Sequence, residues 1–231
     1  FPTRRSSDLL RYAIYANNLA LACEEAGDLD AAEKSSRASL AVRRRHVAAD
    51  SPMLARAQNA LARILLKRGQ LAEARTLMQE ALALREKKLA ADDPEVFDSK
   101  LSLVELSLAD GRTADAAKLL DALPVPAKGG NGRRIGRLRV AANVQAAQGN
   151  WAAARELSNE RLALATSFNG ASHARTTSAM MDHARLLARA GDAVAARELA
   201  RQIQPRAAVF APTAAIHTEL AAMLSAPPAP R

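Results

Sequence analysis

Cysteine is almost missing from this chain: Cys23 is the only one in 231 residues. A single thiol excludes an internal disulfide and leaves no CxxC or similar spacing for metal or redox chemistry. It fits a reducing compartment, so a cytoplasmic setting is expected. Aromatic side chains make up only 3% of the sequence, which argues against a deep aromatic core and suits Ala/Leu helices that approach closely through small side chains. No apolar run comes near the ~20 residues needed to cross a bilayer. Lysine is scarce as well, supplying 7 of the 33 cationic residues, although the net charge is +9. Arginine and alanine both have GC-rich codons, so base composition accounts for the basic balance without an anionic partner. The basic residues are not interleaved with aromatics, as a surface for single-stranded nucleic acid would favour. A basic nucleic-acid-binding helical repeat remains the alternative reading of the charge.

What the chain has instead is a repeat. Glycine followed five residues later by alanine recurs at Gly27/Ala32, Gly69/Ala74, Gly111/Ala116, Gly149/Ala154 and Gly191/Ala196. Successive glycines are 42, 42, 38 and 42 residues apart, and a fixed period of this length marks a stack of supersecondary units. Before Gly69, Leu54, Ala57, Leu61, Ile64 and Leu65 follow helical spacing, and Ala74, Leu77, Met78, Ala81 and Leu82 do so after it;. Glycine can end the first helix in the left-handed conformation. Asp28, Asn150 and Asp192 stand next in three repeats, suited to cap the second helix. Asp50-Ser51-Pro52 and Asp93-Pro94-Glu95 place a capping residue before a proline suited to a first helical turn, and Ser172-His173 stands at the later joint;.

At these residues the sequence resembles the tetratricopeptide-repeat (TPR) family, in its longer-period form typified by kinesin light chain and common in bacterial signalling proteins. Asn17-Asn18-Leu19-Ala20, Gly27-Asp28-Leu29 and the proline-bearing joints carry the resemblance, which spans roughly residues 11–205. It implies an all-α, right-handed α-solenoid of five TPR-type helix-turn-helix repeats plus a C-terminal capping helix. The expected layout is repeat 1 over 10–52, repeat 2 over 53–93, repeat 3 over 94–123, a loop over 124–134, repeat 4 over 135–170 and repeat 5 over 171–206. The capping helix is expected over 211–225, with a disordered tail over 226–231. Gly129–Gly132 reads as a soft joint, because Pro124 and Pro126 cut the second helix of repeat 3 short. Residues 1–9, Phe-Pro-Thr-Arg-Arg-Ser-Ser-Asp-Leu, match a translated short-read sequencing adapter and are expected to lie outside the fold as an artefact or as disorder.

No catalytic constellation emerges, and no cofactor is expected. His46, His173, His183 and His217 form no metal-ligating pair; His173 reads as a joint residue and His183 as a packing one. Glu24 and Glu25 follow Cys23 and disfavour a reactive thiolate. The run Arg43-Arg44-Arg45-His46 ends a second helix, where cations complement the helix dipole and face solvent. Trp151 falls in a slot that holds Leu29, Leu71, Thr113 and Val194 in other repeats, and reads as packing.

The resemblance places the first helices of the repeats along a concave groove that takes a peptide or partner segment. Counted from each glycine, Asn17, Asn59 and Arg139 stand at one level of that groove, with Arg56 near it. Arg63, Asn143 and Arg185 stand one turn further along. Asparagine pairs with a partner's backbone and arginine clamps a carboxylate at two points, so a non-catalytic scaffold for an acidic protein segment is expected. The resemblance also implies that such a region follows a bacterial serine/threonine kinase or transcriptional-regulator module. Self-association through the N-terminal edge is a further expectation.

Overall fold

The structure, a computed structural model, describes residues 4–125, 130–210 and 215–225. Among these there are eleven α-helices, one 3-10 helix and no strand. The chain divides into two compact units, residues 1–124 and 125–231.

The first unit holds three hairpins: α1 (Arg4–Ala26) with α2 (Leu29–His46), α3 (Pro52–Lys67) with α4 (Leu71–Lys88), and α5 (Pro94–Ala109) with α6 (Thr113–Asp121). The second holds α7 (Asn131–Ala147) with α8 (Trp151–Asn169) and α9 (Ala174–Arg189) with α10 (Ala193–Ile203). A 3-10 turn (Gln204–Val209) and α11 (Ala215–Ser225) follow. Within each unit consecutive helices pack in pairs, the architecture of an all-α helical solenoid.

Each hairpin turns at its glycine. Gly27, Gly69, Gly111, Gly149 and Gly191 all have φ between 73° and 86°, a left-handed conformation that costs glycine little and a side-chain-bearing residue more. Around Gly69, no atom lies within 4 Å of a would-be Cβ, so backbone conformation rather than crowding selects glycine there. The recurrent alanines Ala32, Ala74, Ala116, Ala154 and Ala196 are all buried, which lets the two helices of a hairpin approach closely.

Helix starts follow their caps. Asp28 accepts from the Ala31 amide and Asp192 from the Ala195 amide, each at 3.0 Å. Asn150 does not cap α8; its Nδ2 donates to Gln145 Oε1 at 2.9 Å, turning the side chain back toward α7. At the joints, Ser51 accepts from Met53 N at 3.2 Å, Asp93 from Glu95 N at 2.7 Å, and His173 Nδ1 from Arg175 N at 3.1 Å.

The apolar positions read from periodicity form the core. Leu54, Ala57, Leu61, Leu65, Ala74, Leu77 and Met78 pack with Leu40 of the preceding hairpin and Leu106 of the next. In the second unit α11 brings Ile216 and Leu220 onto Met180, Met181, Ile203 and Ala207, closing that stack as a capping helix should;. Two boundaries differ from expectation. Helix α1 starts at Arg4 and so runs through residues 4–9. Helix α7 starts at Asn131, inside the expected loop, and carries Gly132 because Leu138, Ala141, Ala142 and Val144 anchor it by burial. Within the described residues helix α11 covers Ala215–Ser225, and residues 211–214 of the expected capping helix lie outside them. Residues 126–129 and 226–231 also lie outside the described residues, and with them Gly129 of the expected soft joint and the expected tail.

Candidate interaction surface

In the first unit α1 touches α3 and α3 touches α5. The second helices are spanned by long side chains: Arg37 of α2 reaches both carboxylate oxygens of Glu73 on α4 at 2.7 and 2.8 Å, and Arg44 lies 3.8 Å from Glu80. The first helices are therefore the closer set, and they form the inner side of this unit.

Four candidate groove residues stand on this unit. Asn17 on α1 is half-buried and its Oδ1 has no hydrogen-bond partner. Asn59, the equivalent residue on α3, is only 8% exposed, with an Oδ1 likewise unpaired. Its amide belongs to the packing between helices, so it offers a partner far less than its register suggests. Arg56 is exposed and paired with Glu95 of α5. Arg63 is not an open clamp: its Nη2 lies 2.8 and 2.9 Å from the two oxygens of Glu24 on α1. Lys67 Nζ reaches the same carboxylate at 2.8 Å, and the Glu24 side chain is only 5% exposed. Burial pushes the Glu24 carboxyl up, but the charges of Arg63 and Lys67 and their hydrogen bonds outweigh it and hold it below the ordinary value;.

The other three candidates stand on the second unit. Arg139 on α7 is half-buried and already engaged. Asn143, one turn along α7, is exposed. Arg185 on α9 donates to Asp182 at 2.8 Å and to Glu219 of α11 at 2.6 Å, tying the capping helix to the last hairpin. Burial works to lower the Arg185 pKa, yet Glu219 and Asp182 hold it above the ordinary value.

These pairs share a pattern. Arg37–Glu73, Arg56–Glu95, Glu24–Arg63, Asp30–Arg68, Arg75–Asp110 and Asp50–Lys88 each join one repeat to the next. Much of the arginine excess in this unit is thus spent on repeat-to-repeat contacts, which leaves less of it for a polyanion than the net charge implies.

The remaining singled-out residues have structural surroundings. Cys23 packs beside Ala20, Ala32 and Ile64. His183 is buried, with Nδ1 2.8 Å from Ser158 Oγ, and its pKa is lowered by burial and by the charges of Arg155 and Arg161. Trp151 packs on Ala142, Ala146, Ala154 and Leu186, with the Arg189 guanidinium 5.6 Å from its ring centroid;. Among the described residues no group of three or more His, Cys, Asp or Glu could hold a metal ion. No described helix is long and apolar enough to cross a membrane.

A family model described as tetratricopeptide repeat matches residues 11–87, and a second of the same description matches 137–159 and 177–202. Together they cover more than half of the chain. This chain belongs to the tetratricopeptide-repeat family. Its TPR fold is also that of solved kinesin-light-chain-like proteins. One is a Podosopora anserina protein described as a kinesin light chain with nearly identical TPR-like repeats: 21% identity, TM-score 0.53, 90% of this chain and 98% of that one covered. Another is BtubC (BKLC) from P. vanneervenii, at 17% identity and TM-score 0.50, covering 99% of this chain and 94% of that one. At these identities the likeness is one of fold. Comparison with curated protein sequences gives no match.

TPR register does not mark three residues that decide the charge around the expected groove positions: Glu24, Arg43 and Glu95. A signal existed for each. Glu24 occupies the place of Leu66 in the next repeat, a carboxylate in an apolar slot. Arg43 and Arg85 recur at the same distance after Gly27 and Gly69, and both are buried. Arg43 thus departs from its run: Arg44 and Arg45 face solvent, whereas Arg43 points into the joint between repeats. Glu95 takes the place of Met53 and so brings a carboxylate into reach of Arg85.

Proposed function

We propose that this chain is a non-catalytic protein-interaction scaffold that holds an acidic partner segment on the inner face of α1, α3 and α5. Tetratricopeptide repeats as a class mediate protein–protein interaction. The observation that carries the reading is the close set of first helices, along which Arg56 is exposed and Asn17 and Arg63 are half-buried. A partner carboxylate there meets guanidinium groups that keep donors beyond their single internal acceptor. Family resemblance extends the proposal to a cytoplasmic role as the interaction module of a bacterial signalling protein.

Selection of phage-displayed random 12-residue peptides on the intact chain tests this. Enriched peptides are expected to be acidic. Leu21→Glu sets a negative charge at the register of Arg63 without removing an ion pair, and it should weaken the enriched peptides about ten-fold. Arg201→Glu, an exposed residue of α10, should leave them unchanged. Peptides without acidic bias, or equal binding by Leu21→Glu, would overturn the reading.

Self-association is a second reading, favoured by one observation. Tyr12, Tyr15 and Leu19 on α1 are exposed, whereas the equivalent Leu54, Ala57 and Leu61 on α3 are buried. Pairing of that stripe between two copies predicts a light-scattering mass that rises with concentration and falls to the monomer value in Tyr15→Glu/Leu19→Glu. A concentration-independent monomer would remove this reading.

A further inference from the structure

Arg43 is 6% exposed and Arg85 is 5% exposed, and they occupy equivalent places at the ends of α2 and α4. Their surroundings differ at three places. Arg85 hydrogen-bonds Ser99 of the next hairpin, and its Nε stands 3.3 Å from Glu95 Oε2. The other oxygen of Glu95 pairs with Arg56, so one carboxylate sits between two guanidinium groups. One repeat earlier the place of Glu95 is taken by Met53, that of Ser99 by Ala57, and that of Asp98, whose charge also bears on Arg85, by Arg56. Arg43 bonds only to Ser39, on its own helix, and no carboxylate among the described residues pairs with it. Arg56 stands near enough for its charge to bear on Arg43 and lower its pKa, after burial, which lowers it most. A guanidinium held in a joint without a counter-charge is an unfavourable arrangement unless something supplies one. The place is open from one side, since both Met53 and Arg56 are exposed.

We propose that Arg43 and Arg56, with Met53 beside them, form a subsite at the α2–α3 joint that takes a carboxylate of a bound acidic segment, where the next repeat carries its own Glu95. The exposed Met53 side chain adds apolar contact, so the preferred segment places an apolar residue next to the acid. The proposal rests on the scaffold reading above and adds to it a position and a local sequence preference. Its centre is Arg43, which no carboxylate among the described residues meets, whereas Arg56, Arg63 and Arg185 each have an internal acceptor.

The decisive variant is Met53→Glu, which gives Arg43 the internal carboxylate that Arg85 already has. The probes are fluorescein-labelled acidic 12-residue peptides enriched on the unmodified chain, with binding read by fluorescence anisotropy. Met53→Glu is expected to melt at or above the temperature of the unmodified chain yet to bind the probes about ten-fold more weakly. Arg43→Gln should weaken them similarly, and Met53→Gln, similar in size and uncharged, should stay within about three-fold. Unchanged binding by folded Met53→Glu overturns the subsite while leaving the scaffold reading in place. An equal loss in Met53→Gln overturns it too, because the methionine and not the carboxylate balance would then be responsible. If no acidic peptide is enriched at all, the scaffold reading fails and the subsite fails with it.

Discussion

Replacing Arg63 and Lys67 together by methionine is expected to destabilise the first unit by about 3 kcal/mol at pH 7, the cost of leaving a buried carboxylate without its partners. Glu24 is the residue that makes this change expensive. It is nearly fully buried on α1, and its two cations both come from α3. Each single substitution leaves the other cation in place and should cost about 1 kcal/mol. The effect depends on pH with a definite sign. In the unmodified chain Glu24 lies below its ordinary value of 4.5. Its stabilising contribution is therefore complete above that value and is lost as the pH falls through the lowered one. In the double variant only burial acts, the carboxyl titrates above 4.5, and protonation relieves the penalty. Urea unfolding followed by circular dichroism should show the gap between the two proteins at pH 7 and its narrowing toward pH 4. Adding Glu24→Leu, the residue type that Leu66 supplies in the next repeat, should restore most of the loss. A double variant within 0.5 kcal/mol of the parent, given the roughly 3 kcal/mol at stake, would show that Glu24 is not held in this way.

Ala74→Leu is expected to cost about 3 kcal/mol, at the upper end for overpacking. Ala74 is 0% exposed and lies where α3 and α4 cross, among Leu61, Leu65, Leu77 and Met78. Leucine and alanine differ little in helix propensity, so the loss measures the close approach of the two helices. Ala83→Leu, an exposed position on the same helix, is the matched control and should change stability by less than about 0.5 kcal/mol;. Equal thermal and urea stabilities for the two variants would mean that the recurring alanine marks composition and not a contact.

Much of the fold is legible because the features that build it act over short stretches of chain. A glycine at Gly27 or Gly149 needs only its own φ to turn the chain, and Asp28 needs only Ala31 to cap the next helix. Leu54, Ala57 and Leu61 share a face because of helical spacing alone, and their burial follows. Asn150 marks the edge of such reasoning. The right residue type stands at the right place, but a side-chain acceptor on α7, Gln145, competes with the backbone amides and wins.

The candidate surface is legible in the sequence as a set of register positions, and its charge is not. Register put Asn17 and Asn59 at one level, yet Asn59 is closed off by packing. Register put Arg63 and Arg185 at another level, yet Glu24 and Glu219 meet them from neighbouring elements. Arg43 looked like part of a solvated basic run, and it is the arginine that enters a joint without a carboxylate. In these cases the immediate sequence context does not carry the answer, and for Glu24 and Arg43 only comparison with the equivalent residues of the next repeat signals it.

The sequence by itself determined the helical hairpin, its period, its turns, most of its caps and the apolar face of each helix, because those depend on backbone conformation and on residues within about two helical turns. Only the tertiary structure decided which of the basic residues remain available to a partner. Neutralisation depends on the side chain brought alongside from the next repeat, as Glu24 meets Arg63 and Glu95 meets Arg56 across 39 residues of sequence. At that separation the pairing is set by how the hairpins stack, and where Glu95 and Asp98 give way to Met53 and Arg56 a buried guanidinium has no carboxylate paired with it among the described residues.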